Sequence, residues 1–452
     1  MAKHFDVRLL VALGALFLWG CPIDDAQIGS TGSSSGSASS SSGDASSSSS
    51  GVGGAGGAGG AGGMGGAVAS SSSSGMGGAG GMAGMGGSGG AGGGCPEPGT
   101  LNSCGVGGCP PCPTLVAIGT SSTIGFAGTF VSSNQTKWAT NALNEPSDKS
   151  PTLVIGGKDY GVALLKQSGL GPSDWRIRYS SWTPSGFSSW KDIGPTVTTN
   201  LAVSAAGKNG VVDIAYHGAN NLFYYYLRTT DGGLNFTTVE QVAMGFGPEG
   251  PTIAQINSDP VVAYAGNEKG LYSHARNANP MWKATEHIKE PSDVVGTPAM
   301  ATFTAGPNEA MLVFARNANQ LYWIARKGGA WGDTPAPIPM AASQEPVLLA
   351  LPNGDAIVAY RDSSDGKVKW SRYSGSTDSW STAPSTLDGA PTTIAKPALA
   401  LGAGDAEVEL LYVGMTGQAH HARLRKNDAH FTDLAPIPNA TNLVGIASAT
   451  NL

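Results

Sequence analysis

Charge and cysteine are scarce in this sequence. Of 452 residues only 13% are charged and 7% aromatic, with 32 Asp and Glu against 26 Lys and Arg, a net charge of −6. There is no basic patch or run, which argues against nucleic acid and against direct electrostatic attachment to anionic lipid. Amphipathic helix patterning is absent. The apolar run from Leu9 to Trp19 is shorter than the about 20 residues a bilayer span needs. No nucleophile elbow and no phosphate-binding Gly-rich loop occurs. The seven histidines form no metal-ligand motif, so neither a metal nor a cofactor is expected. His420 and His421 adjoin on a predicted strand, which sends their side chains to opposite faces. Cysteine is confined to Cys21 and a cluster between Cys95 and Cys112.

What is present divides the chain into four parts. Residues 1–20 read as an export signal, with Lys3 and Arg8 ahead of the apolar run and small Gly20 at its end. Leu18-Trp19-Gly20-Cys21 resembles the bacterial lipobox, although Trp19 replaces the usual small residue; the resemblance implies lipid modification of Cys21. Pro22 follows in place of the Asp of an inner-membrane retention signal. The expected location is therefore the cell envelope, lipid-anchored, at the outer membrane or cell surface. Within 21–94, the stretch from Gln27 to Gly94 is nearly all Ser, Gly and Ala. It lacks the large apolar side chains that would offset ordering entropy, so a disordered tether is expected. Such a coil has an r.m.s. span of about 45–50 Å. There is no Gly-X-Y period, which excludes collagen.

Segment 95–113 holds Cys95, Cys104, Cys109 and Cys112. In an oxidising compartment this even count predicts two disulfides, in any of three pairings. Cys109-Pro-Pro-Cys112 also has the spacing of a redox motif, and four cysteines can bind zinc. No strand–helix pattern surrounds the motif, and a structural staple is the expectation.

Residues 114–452 contain an internal repeat of about 48 residues. One marker is an arginine: Arg178, Arg228, Arg276, Arg326, Arg372 and Arg423. A second is an aromatic: Trp138, Trp190, Phe236, Trp282, Trp331, Trp380 and Phe431. A third opens most units: Pro151, Pro251, Pro298, Pro346 and Pro397, with Asn200-Leu-Ala in one unit. Each unit reads as four short strands separated by Gly, Asn, Asp and Ser clusters. Repeated four-stranded units predict an all-β propeller. Six complete units run from Pro151 to Pro438. The tail Asn442-Leu-Val-Gly-Ile-Ala resembles an opening strand without a blade, and Thr114–Trp138 has later strands without an opening one. Joining the two gives seven blades and closes the ring; six blades plus a cap is the alternative. The aromatics are expected to fill the space between blades, and the arginines to meet loop carbonyls or a neighbouring blade's carboxylate.

Thr229-Thr-Asp231-Gly-Gly233-Leu-Asn-Phe236 matches the Asp-box, Ser/Thr-x-Asp-x-Gly-x-x-Trp/Phe. With the periodicity, the domain resembles the sialidase-like and fucose-lectin-like propellers as architecture. Sialidases combine an arginine triad with a Tyr/Glu pair and an acid/base Asp. Arg176-Ile-Arg178-Tyr179 lacks the proline of the family's Arg-Ile-Pro motif. Arginines spread over six repeat positions are also the wrong pattern, because a catalytic site breaks a propeller's symmetry. Glycosidase carboxylates are available in Glu249, Asp259, Glu268, Glu290, Asp293, Glu309 and Asp362, but sequence pairs none of them. The expectation is a non-catalytic, surface-displayed module binding glycans or another surface polymer. Candidate contacts are Tyr225, Arg228, Tyr272, Arg276, Tyr322, Trp323 and Arg326. An exo-acting glycosidase and an envelope protein–protein scaffold are the alternatives.

Overall fold

The structure is a computed structural model. It describes residues 114–451 except 132–137, 158–159, 170–174, 220–221, 245–249, 267–268, 277–281, 289–292, 344, 403–405 and 427. The signal, Cys21, the tether and the four-cysteine segment lie outside the described residues.

Seven antiparallel sheets, blades I to VII, form a seven-bladed propeller. Their innermost strands are Gly445–Asn451 (I), Thr152–Gly157 (II), Ser204–Lys208 (III), Thr252–Ile256 (IV), Val294–Thr302 (V), Val347–Ala350 (VI) and Ala398–Leu401 (VII). Each neighbours the next round a central channel. Blade I is assembled from both chain ends. Gly445–Asn451 pairs with Thr114–Thr120, in register from Thr114↔Asn451 to Thr120↔Gly445. The orphan tail and the blade missing its first strand thus complete each other, and the six-blade alternative is set aside.

Second strands such as Val211–His217 and Ala310–Arg316 are buried along almost their whole length. Their apolar runs are continuous because a neighbouring blade covers each face. Third strands alternate instead: in Phe223–Thr229, Tyr224 and Tyr226 are buried while Tyr225 is half-buried. The repeat aromatics act as inter-blade packing. Phe236 meets Tyr179 at 4.8 Å, Trp282 meets Tyr226 at 5.1 Å and Phe431 meets Trp370 at 5.3 Å, each reaching back one blade. Trp138 does the same across the closure, 5.3 Å from His421 of blade VII. The Trp331 indole N–H donates to Ser273 Oγ of blade IV at 3.0 Å. The opening prolines line one end of the channel, around a cavity of about 230 Å³. Four of them immediately precede the inner strand and Pro298 sits at the register shift of Val294–Thr302, places where a missing N–H costs no ladder bond.

Candidate functional site

The seven candidate contacts do not converge. Tyr225, Tyr272 and Tyr322 occupy one position in blades III to V. Each is stacked on an aromatic of the second strand of its own blade: Tyr216 (5.4 Å), Tyr264 (5.8 Å) and Phe314 (6.3 Å). All three pack towards the preceding blade. Trp323 lies on the opposite strand face from Tyr322, against Tyr373 and Trp380 of blade VI. The arginines carry ion pairs. Arg228 Nε donates to buried Asp213 at 2.7 Å, Arg276 makes a two-pronged contact with Glu240 of blade III, and Arg326 lies 3.4 Å from Glu286 and Glu309. Arg372 bridges Asp355 and Glu407 of blade VII, and Arg423 joins Glu409 and His421 in a fully buried group. The expected pairing with a neighbouring blade's carboxylate describes Arg276, Arg326 and Arg372, whereas Arg228 and Arg423 pair within their own blades.

The arginines are less equivalent than their spacing implies. Arg276 and Arg326 reach back to the preceding blade, whereas Arg372 reaches forward. Arg178 is out of register altogether. It sits opposite Leu165, at the position held by Tyr225, which is opposite Tyr216 in blade III; Arg228 pairs with Asp213 further along. Its Nη1 donates to Glu145 of blade I, its Nη2 donates to the Trp190 carbonyl at 3.1 Å, and Asp192 lies 3.1 Å from Nε.

A cleft of about 510 Å³ opens at this same blade I–II junction. Its walls are the outer strand of blade I, Trp138–Leu143, and residues 184–190 of blade II. Blade II's outer strand is broken into Gly186–Phe187 and Lys191–Asp192, as those of blades V and VI are also broken, and Ser188, Ser189 and Trp190 lie between the two pieces. Trp190 packs its apolar body on the Val116 and Ile118 core and also lines the cleft. Around it stand Asn141, Asn144, Ser185, Ser188, Ser189 and the carboxylate of Glu145. One half-buried indole, several amides and hydroxyls, and a carboxylate fixed by Arg178 suit a polyhydroxylated ligand with an apolar face. A smaller cleft of about 320 Å³ beside blade III is lined by the Tyr216–Tyr225 pair with Thr196 and Thr198. Sequence reasoning missed Glu145, Asn141 and Asn144; the available signal was that Arg178 and Trp190 stand farther apart in the chain than the arginine and aromatic of the other repeats do.

The carboxylates weighed as glycosidase groups do not gather. Asp293 pairs with Arg316, Asp362 with Lys369, and Glu309 with Arg326. Glu249, Glu268 and Glu290 lie outside the described residues. Among the described residues no group of three His, Cys, Asp or Glu could hold a metal.

The Thr229–Phe236 turn is internally bonded. Thr229 Oγ1 donates to Asp231 Oδ1 at 2.8 Å and accepts the Gly233 N–H at 3.0 Å. Asp231 also accepts from the Asn235 backbone and side chain, which holds its carboxyl down at about 2. Gly232 and Gly233 take φ of 72° and 88°, open to glycine without strain. Burial lowers the His274 pKa; its Nε2 lies 3.0 Å from the Tyr264 hydroxyl and its Nδ1 3.2 Å from the Lys283 carbonyl.

No protein-family model matches the chain, and no curated protein matches it. Among solved structures it is similar to the BP39L lectin from Burkholderia pseudomallei, at 14% identity and a TM-score of 0.57, over 72% of this chain and 95% of that one. It is also similar to the Aleuria aurantia lectin, a six-bladed fucose-recognising propeller, at 13% identity and a TM-score of 0.40, over 60% and 94%. The Hadza microbial sialidase Hz136 stands at 11% identity and a TM-score of 0.41, over 65% and 71%. At these identities the likeness is one of fold.

Proposed function

We propose that the chain is a non-catalytic recognition module that binds glycans in the cleft between blades I and II. One observation carries this reading: Arg178, shifted out of the repeat register, holds Glu145 beside a cleft of about 510 Å³ that Trp190, Asn141 and Asn144 also line. Trp190 offers an apolar platform, Asn141 and Asn144 offer amide donors and acceptors, and Glu145 accepts hydroxyl protons. The likeness to a bacterial lectin propeller supports the same reading. A glycosidase needs two carboxylates about 5 or 6.5–9.5 Å apart. This cleft is lined by one, Glu145. The Thr229–Phe236 hydrogen bonds support kinship with Asp-box propellers. Anchoring through Cys21, a Ser/Gly/Ala tether and a staple of two disulfides among Cys95, Cys104, Cys109 and Cys112 complete the proposal. A mobile tether raises the reach of a binder at a surface.

A glycan array probed with the purified full chain tests it. Selective binding that free sugar competes away is expected. A blank from protein shown to be folded by circular dichroism would overturn glycan recognition in favour of an envelope scaffold.

A further inference from the structure

The central mouth carries chemistry of its own, independent of the lateral cleft. Its cavity, about 230 Å³, is walled by opening prolines and by Thr and Ser from the inner strands. Two of the residues preceding an opening proline are charged: Glu345 before Pro346 and Lys396 before Pro397, on adjacent blades. The corresponding residues in other blades are neutral and small: Ser150, Gly250, Thr297 and Gly445, the last ahead of Ile446. Both Glu345 and Lys396 line the cavity. Neither side chain makes an ion pair or a hydrogen bond among the described residues, with each other or with any neighbour.

Buried and inter-blade arginines are paired closely, as the Arg372–Asp355–Glu407 and Arg423–Glu409–His421 groups show. What sets Glu345 and Lys396 apart is that two opposite charges without an ion pair line one cavity whose other opening residues are neutral. The following prolines confine both backbones to extended conformations, which fixes where each flexible side chain starts. An ammonium facing Glu345 and a carboxylate facing Lys396 would each gain a charge-assisted contact. The volume admits a ligand of amino-acid size.

We propose that the central mouth binds a small zwitterion of the amino-acid type, its ammonium held by Glu345 and its carboxylate by Lys396. The full chain is titrated calorimetrically with ω-amino acids from glycine to 6-aminohexanoate, which vary the charge separation. Acetate, methylammonium and N-acetylglycine serve as single-charge controls. Saturable binding is expected for at least one chain length, with single-charge compounds at least ten-fold weaker. E345Q and K396Q should each weaken that zwitterion ten-fold or more while leaving glycan binding at the lateral cleft unchanged. Both residues are solvent-accessible, so the variants should retain the parent circular dichroism spectrum. No saturable binding at any length would overturn the proposal, as would binding that both variants retain.

Discussion

At the scale of single residues, the buried group Glu409–His421–Arg423 governs the junction where the ring closes. Arg423 is 2% exposed and Glu409 0%, and the guanidinium also lies over Phe130 of blade I at 5.5 Å. Removing one partner of a buried ion pair strands the other charge, at a cost of about 3–5 kcal/mol; replacing both is often close to neutral. R423M is therefore expected to lose about 3–5 kcal/mol in denaturant unfolding, and E409Q/R423M to recover most of it. Equal losses in the two would show that shape, not charge, dominates. His274 makes a second residue-scale prediction. Its folded pKa lies below the ordinary 6.5, so the unfolded chain takes up this proton first as pH falls. Its contribution is full above about pH 6.5 and declines below it. H274Q should flatten the stability profile below about pH 6.5 relative to the parent. Parallel profiles would contradict a neutral buried imidazole.

At the scale of elements, the closing strand is the one with most at stake. Leu443 and Ile446 are 2% exposed and belong to the core shared by blades VII and I. Without Gly445–Asn451, the strand Thr114–Thr120 would present an unpaired edge to the channel. Truncation after Thr441 should abolish a single cooperative thermal transition, read by calorimetry. A truncated chain melting like the parent would mean that closure is dispensable. This element was legible in the sequence, because a tail with an opening-strand pattern and a blade lacking one imply each other. Strand faces were harder to read. Side chains alternate with a period of two, so an arginine moved by one residue changes blades. Arg276 and Arg372 end comparable segments yet reach in opposite directions. Arg178 looked like a sixth copy because its spacing is near the repeat length, and only pairing shows it opposite Leu165. That shift concealed the candidate cleft, since Glu145 and Asn141 belong to the previous unit and carry no repeat marker.

At the scale of the whole molecule, seven blades give a symmetric frame on which two departures stand out: the lateral cleft of blades I and II, and the charged pair at the mouth. The frame is secured by aromatics that each reach back one blade, which are the same side chains that marked the repeat. Packing thus accounts for the periodic residues, and the proposed recognition draws on the aperiodic Asn141, Asn144 and Glu145, with Trp190 serving both roles. Asn141 and Asn144 are exposed in the cleft, so replacing them should change binding without disturbing the fold. The most direct test titrates the best array glycan, by calorimetry, into the parent, W190A and N141A/N144A. A ten-fold or greater loss is predicted in both variants, with N141A/N144A keeping the parent melting temperature. Unchanged affinity in a folded N141A/N144A protein would place the glycan elsewhere on the propeller and contradict the central claim.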